Sequence, residues 1–218
     1  MWPMSDQKLR ELERRWRETG SVEDEAAYLR ERVRVGDLTQ ERLELAAYLG
    51  HAAACNALGR EPSPAWRIEE LPDLVGSDHE ISVAFLLALS RIVTASQTGV
   101  YFDQLDDRLA AAIRHAEDWL ATRAPDAQAQ CALDEKEVTN LARDWEGNRF
   151  HQDEDILAFG PSPDVARLVL LCLRAISGNR RDLDEAVKIA RFEGRRDRQP
   201  WEPRVADRLL GVLLDNGG

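Results

Sequence analysis

Apolar positions recur along this chain at spacings of three and four, and that spacing predicts helices from one end to the other. The densest stretch is Ser77 to Ser96, whose centre Ile81 to Val93 reads ISVAFLLALSRIV. Only Ser82, Ser90 and Arg91 are polar there, so the helix needs cover on nearly every side. A membrane span takes about 20 consecutive apolar residues. This stretch is shorter and interrupted, which leaves the cover to the protein's own helices. Ser77-x-x-Glu80 reads as a capping box, with Asp78 well placed near the positive helix end. A second strongly apolar helix is expected after Ser162, with Pro163 at its first position and Val165, Leu168, Val169, Cys172, Leu173 and Ile176 along it.

Amphipathic segments surround these two. A helix starting near Ser5 carries Leu9, Leu12 and Trp16 on one side. After Gly20, Ser21 caps a helix whose buried stripe is read as Val22, Ala26, Leu29 and Val33. After Gly36, Thr39 caps another with Leu43, Ala46 and Leu49 inward, and a short segment follows from His51 to Leu58. The tetrapeptide AAYL occurs at Ala26 to Leu29 and again at Ala46 to Leu49. That spacing invites a helical-repeat reading. Pro62, Pro64 and Pro72 break the chain into a connector, with Trp66, Ile68 and Leu71 folded back on the core. A long helix from about Asp103 presents Leu105, Leu109, Ala112, Ile113, Ala116 and Leu120 and should pack against the central helix. Beyond Pro125 comes a more polar helix, Ala127 to Trp145, with Cys131, Val138, Leu141 and Trp145 inward and Gly147 and Asn148 as its stop. Helices at Leu183 to Phe192 and Pro203 to Leu214 finish the chain. The expected fold is all-α, a multi-helix bundle of antiparallel helical hairpins with a repeat-like, α-solenoid-like character. Its parts are hairpins over 1–59, a connector over 60–76 and a bundle over 77–218 built around 77–96 and 162–177, together one continuous domain.

Charge narrows the function. The net charge is -11, and residues 101–160 hold 14 of the acidic side chains against 6 basic ones. Such a region repels phosphate backbones and favours a basic protein as partner. Asp103, Asp106 and Asp107 gather at one helix start, and Asp153, Glu154 and Asp155 lie in a later loop. If these converge they present a negative face to another protein. Tyr48 and Trp66, with Tyr28, are candidate anchors for an alternative, apolar mode of partner binding between the N-terminal helices.

Motifs for chemistry are sparse. No phosphate-binding glycine loop, dinucleotide fingerprint, nucleophile elbow or H-E-x-x-H occurs, so no cofactor is expected. His151 with Asp155 one turn on is a two-ligand start for a metal site, and with Asp153 it defines the enzymatic alternative. Cys55, Cys131 and Cys172 are far apart in apolar contexts and read as reduced core residues. Arg195 to Pro200 is a basic segment diluted by acids, read as a solvated turn. The opening MWPMSDQKLRELERR becomes charged too soon for a signal peptide, giving a cytoplasmic expectation.

Two stretches carry a resemblance. Gly20 to Gly59, with ERLELAAYLG, resembles an opening module of uncharacterised bacterial α-helical proteins. Arg108 to Asp126, RLAAAIRHAEDWLATRAPD, is similar to a helix of α-helical immunity proteins, which protect a bacterium against a toxin delivered by its neighbours. Together they cover a little over a quarter of the chain. The resemblance implies a non-enzymatic inhibitor of another protein.

Overall fold

The computed structural model describes residues 4–62, 66–75, 78–98, 106–149, 163–178, 183–194 and 202–214. These residues are helical throughout their regular structure, with eleven α-helices, one 3-10 turn at Ile68–Glu70 and no strand among them. The chain divides into two compact units, one of residues 1–67 with 210–218 and one of residues 68–209.

In the first unit lie α1 (Met4–Thr19), α2 (Val22–Val35), α3 (Gln40–Tyr48) and α4 (Ala52–Ala57). The joints follow the sequence grammar. Ser21 Oγ accepts the Asp24 N–H at 3.1 Å, and Thr39 Oγ1 accepts the Arg42 N–H at 3.2 Å. Gly36, at φ 84°, adopts the left-handed turn that ends α2. His51 caps α4, its Nδ1 accepting the Ala54 N–H at 3.3 Å. α2 packs against α1 and α4, and α3 against α4.

The buried side of α2 differs from the apolar stripe expected. Val22 is 39% exposed and Val33 half-buried, while Tyr28, Glu31 and Arg32 are buried beside Ala26 and Leu29. Compensation explains the rotation. Tyr28 stacks on Trp16 at 5.3 Å between ring centres. Glu31 meets Lys8 at 3.0 Å and is held by two N–H groups of Arg34. Arg32 donates to Asp37 and to the carbonyl of Leu214, both at 2.6 Å, and lies over the Tyr28 ring. A buried charge with such partners avoids the several kcal/mol that an unpaired one costs.

The second unit is built on α6 (His79–Thr98), which is buried at every position from Ile81 to Leu89 and again from Ile92 to Thr94. Its cover comes from α5 (Leu71–Val75), α7 (Asp107–Thr122), α9 (Pro163–Ile176) and α10 (Leu183–Gly194). Ile68 and Leu71 are buried, as the connector reading requires. Asp78 supplies a cap among the described residues: its Oδ1 accepts the N–H groups of Glu80 and Ile81 at 2.9 and 3.1 Å. Ser77 lies outside the described residues. Helix α9 buries eleven of its fourteen residues and packs on α6, α7, α8 (Pro125–Arg149) and α10.

Helix α8 passes through the expected stop at Gly147 and Asn148 and ends at Arg149. A glycine costs a helix about 1 kcal/mol relative to alanine, too little to end one by itself. At the other end of α7, Arg123 takes a left-handed conformation at φ 55°. Its side chain holds Glu80 at 2.8 Å and lies 5.1 Å over the ring of Trp119, which also meets His79 edge-on. The last helix, α11 (Glu202–Leu214), buries Val205, Leu209 and Leu213.

Candidate functional site

The described part of the acidic region expected over 101–160 falls on α7 and α8, which pack against each other. Asp106 is the N-cap of α7, its Oδ1 accepting the Arg108 N–H at 2.9 Å. The Arg108 guanidinium returns to the same carboxylate at 3.0 and 2.8 Å. That contact holds the Asp106 carboxyl below its usual range, against the opposing effect of burial. Asp106 is therefore committed locally and does not offer the free charge expected of it, because a carboxylate at a helix start is spent on orphan N–H groups. Asp107 beside it is exposed. Asp103 lies outside the described residues, as do Asp153, Glu154 and Asp155, His151 with them.

Arg108 is shared further. Glu137 and Asp144, both exposed on α8, lie within electrostatic reach and, after Asp106, push its guanidinium pKa upward. Neither has a basic residue three or four positions away on its own helix. Three carboxylates thus draw on one guanidinium. Around them Asp118, Asp126 and Glu146 are also exposed. The other acids are paired: Glu117 is held by both Nε and Nη2 of Arg91, and Glu135 lies 3.4 Å from Arg174.

Between the two helices sits a polar pair that the sequence reading missed. His115 Nδ1 is 2.7 Å from Oδ2 of Asp134, which is 6% exposed, and Gln130 donates to the other carboxylate oxygen at 3.1 Å. Asp134 keeps the register of Cys131, Val138 and Leu141, so a polar residue on an apolar stripe was the available signal. Burial, with the charge of Asp134, pushes the Cys131 thiol up to about 11. Cys172 and Cys55 are raised by burial as well. All three thiols are free and buried, the wrong setting for a nucleophile. A shallow depression of about 340 Å³ on α8 is lined by Glu135, Lys136, Thr139 and Asn140, a mixture of charge with no acid-base pair. Among the described residues no group of three or more His, Cys, Asp or Glu could hold a metal ion.

In the first unit, Tyr48 reaches the backbone of the residue that follows Trp66. Tyr48 Oη accepts the Arg67 N–H at 3.0 Å and donates to the Arg67 carbonyl at 3.3 Å. Trp66, the preceding residue, is half-buried. Tyr28 is 3% exposed under Trp16 and offers no anchor to a partner. No helix among the described residues is long and apolar enough to cross a membrane. No family model matches the sequence, and no curated protein or solved structure matches it either.

Proposed function

We propose that this chain is a non-enzymatic protein-binding protein that sets the outer side of α7 and α8 against a basic surface of another protein. In its more specific form it is an immunity or antitoxin-like inhibitor acting in the cytoplasm, with no cofactor and no nucleic-acid or membrane partner. One observation carries the reading. Asp107, Asp118, Asp126, Glu137, Asp144 and Glu146 are exposed and make no ion pair among the described residues, against Arg114, Lys136 and Arg143 as the exposed bases in the same state. Uncompensated charge of one sign raises association rates with a partner of the opposite sign and disfavours others. The tight left-handed glycine joints of the first unit are compatible with the paired-hairpin, repeat-like reading of its short helices.

The test is capture of a partner from cell extract on the immobilised chain. A single basic protein in stoichiometric amount is expected at about 0.1 M salt and lost near 1 M, where the Debye length falls to about 3 Å. A chain carrying Asp107→Lys, Asp118→Lys, Glu137→Lys and Asp144→Lys should capture none. Recovery of no basic protein at any salt concentration defeats the reading. A second reading is an adaptor that seats a partner in an apolar groove between the N-terminal helices with Tyr48 and Trp66 as anchors, and the half-burial of both supports it. It predicts binding that scarcely responds to salt and falls with Trp66→Ala.

A further inference from the structure

Three exposed acids and an exposed leucine of α8 share one line. On a helix of 3.6 residues per turn, Asp126, Leu133, Glu137 and Asp144 fall along one line, about 27 Å from end to end. Lys136 and Arg143 fall on the neighbouring line, with Glu146 on its far side. Leu133 sits inside the acidic line and is 59% exposed, the most exposed large apolar side chain among the described residues. Helix energetics account for Asp126, which lies in the first turn. They do not account for Glu137 and Asp144, which have no basic residue three or four positions away on α8 and share Arg108 with Asp106. An apolar knob between under-compensated carboxylates is the complement of an amphipathic helix bearing basic residues beside an apolar one.

We infer that the Asp126–Leu133–Glu137–Asp144 line of α8 docks a basic amphipathic helix of a partner protein, with Leu133 as the apolar contact and the carboxylates fixing its register. The inference rests on the function proposed above and adds the chemical form of the partner. Leu133 would be buried on docking and lose its exposure. Burial of a leucine is worth about 1.5–3 kcal/mol, so removing the contact weakens binding by about tenfold or more. The flanking charges act through salt-sensitive attraction and orientation.

The experiment uses the full chain and a synthetic helical peptide with a lysine about every seven residues and a leucine between them, beside a scrambled peptide of equal charge. Saturable binding of the patterned peptide is expected, with the scrambled one markedly weaker. Leu133→Asp should weaken binding at least about tenfold. Glu137→Lys with Asp144→Lys should do the same at about 0.1 M salt and make the remainder insensitive to added salt. Circular dichroism checks that the variants stay folded, as expected for exposed positions. Unchanged affinity in Leu133→Asp, beside a loss in the charge-reversed variant, overturns helix docking while leaving the acidic reading standing. No effect of either overturns both. A photo-reactive side chain at position 133 that cross-links residues 150–162 of the same chain, or a second copy of it, also overturns the inference by naming a different occupant.

Discussion

A buried carboxylate needs hydrogen-bonding partners, and Glu31, Asp24 and Asp134 find theirs from different directions. Glu31 is held by Arg34 and Lys8, whose hydrogen bonds depress its carboxyl to about 2. Asp24 accepts the Thr19 hydroxyl at 2.7 Å, the leading cause of its own lowered value. A depressed carboxylate contributes stability that is complete above its unfolded pKa and is lost as pH falls through the folded one. For Glu31 that window runs from about 4.5 down to about 2. Denaturant titrations at neutral pH and at about pH 3 should show stability falling in the native chain and falling less steeply in Glu31→Gln. Asp134 depends on His115. Asp134→Ala should cost about 1–3 kcal/mol by leaving its donors unpaired, and a double-mutant cycle with His115→Ala should return a coupling of about 0.5–3 kcal/mol. Asp134 could be singled out in the sequence, since it breaks an apolar register. Its partner could not, because nothing in the spacing of α7 says which residue faces α8.

At the scale of the helix, what the sequence made plain was whatever depended on nearest neighbours. Helix α6 is apolar on all sides and is buried on all sides, and the Pro163 start of α9 follows from a proline at a position that needs no N–H. Phe85 is fully buried in α6, so Phe85→Ala should cost about 3–5 kcal/mol in thermal or denaturant unfolding. The helix ends were less legible. Asp78 and Asp106 cap by side-chain geometry that neighbouring candidates in the sequence imitate, and α8 overruns Gly147. Arg123 is the case where backbone and side chain oppose each other. Its left-handed conformation is unfavourable for any side chain, while its guanidinium ties Glu80 to Trp119. Arg123→Ala and Arg123→Gly both lose those contacts, but only alanine retains the strain. The glycine variant should therefore unfold at the higher denaturant midpoint, by about 1 kcal/mol in stability.

Over the whole molecule, the sequence suggested one continuous domain with a connector over 60–76, whereas the chain forms two compact units, and the return of residues 210–214 to the first had no local signal. The clue was Arg32, a basic residue on the inward side of α2, whose acceptor lies 182 positions away. The unit of residues 68–209 holds its own core around α6 and α9, so that segment expressed alone should unfold cooperatively on heating, followed by circular dichroism. A chain ended after residue 209 should lose stability in the first unit, about 1–3 kcal/mol for the acceptor taken from Arg32 and more for the missing Leu213. The Arg32 bond to Leu214 also sets an order of events during synthesis. At about 5–20 residues per second, the translating ribosome needs on the order of 10–40 s to add the residues between them. Through that interval α2 has emerged without its final acceptor, so the first unit is completed only after residues 68–209 have been made.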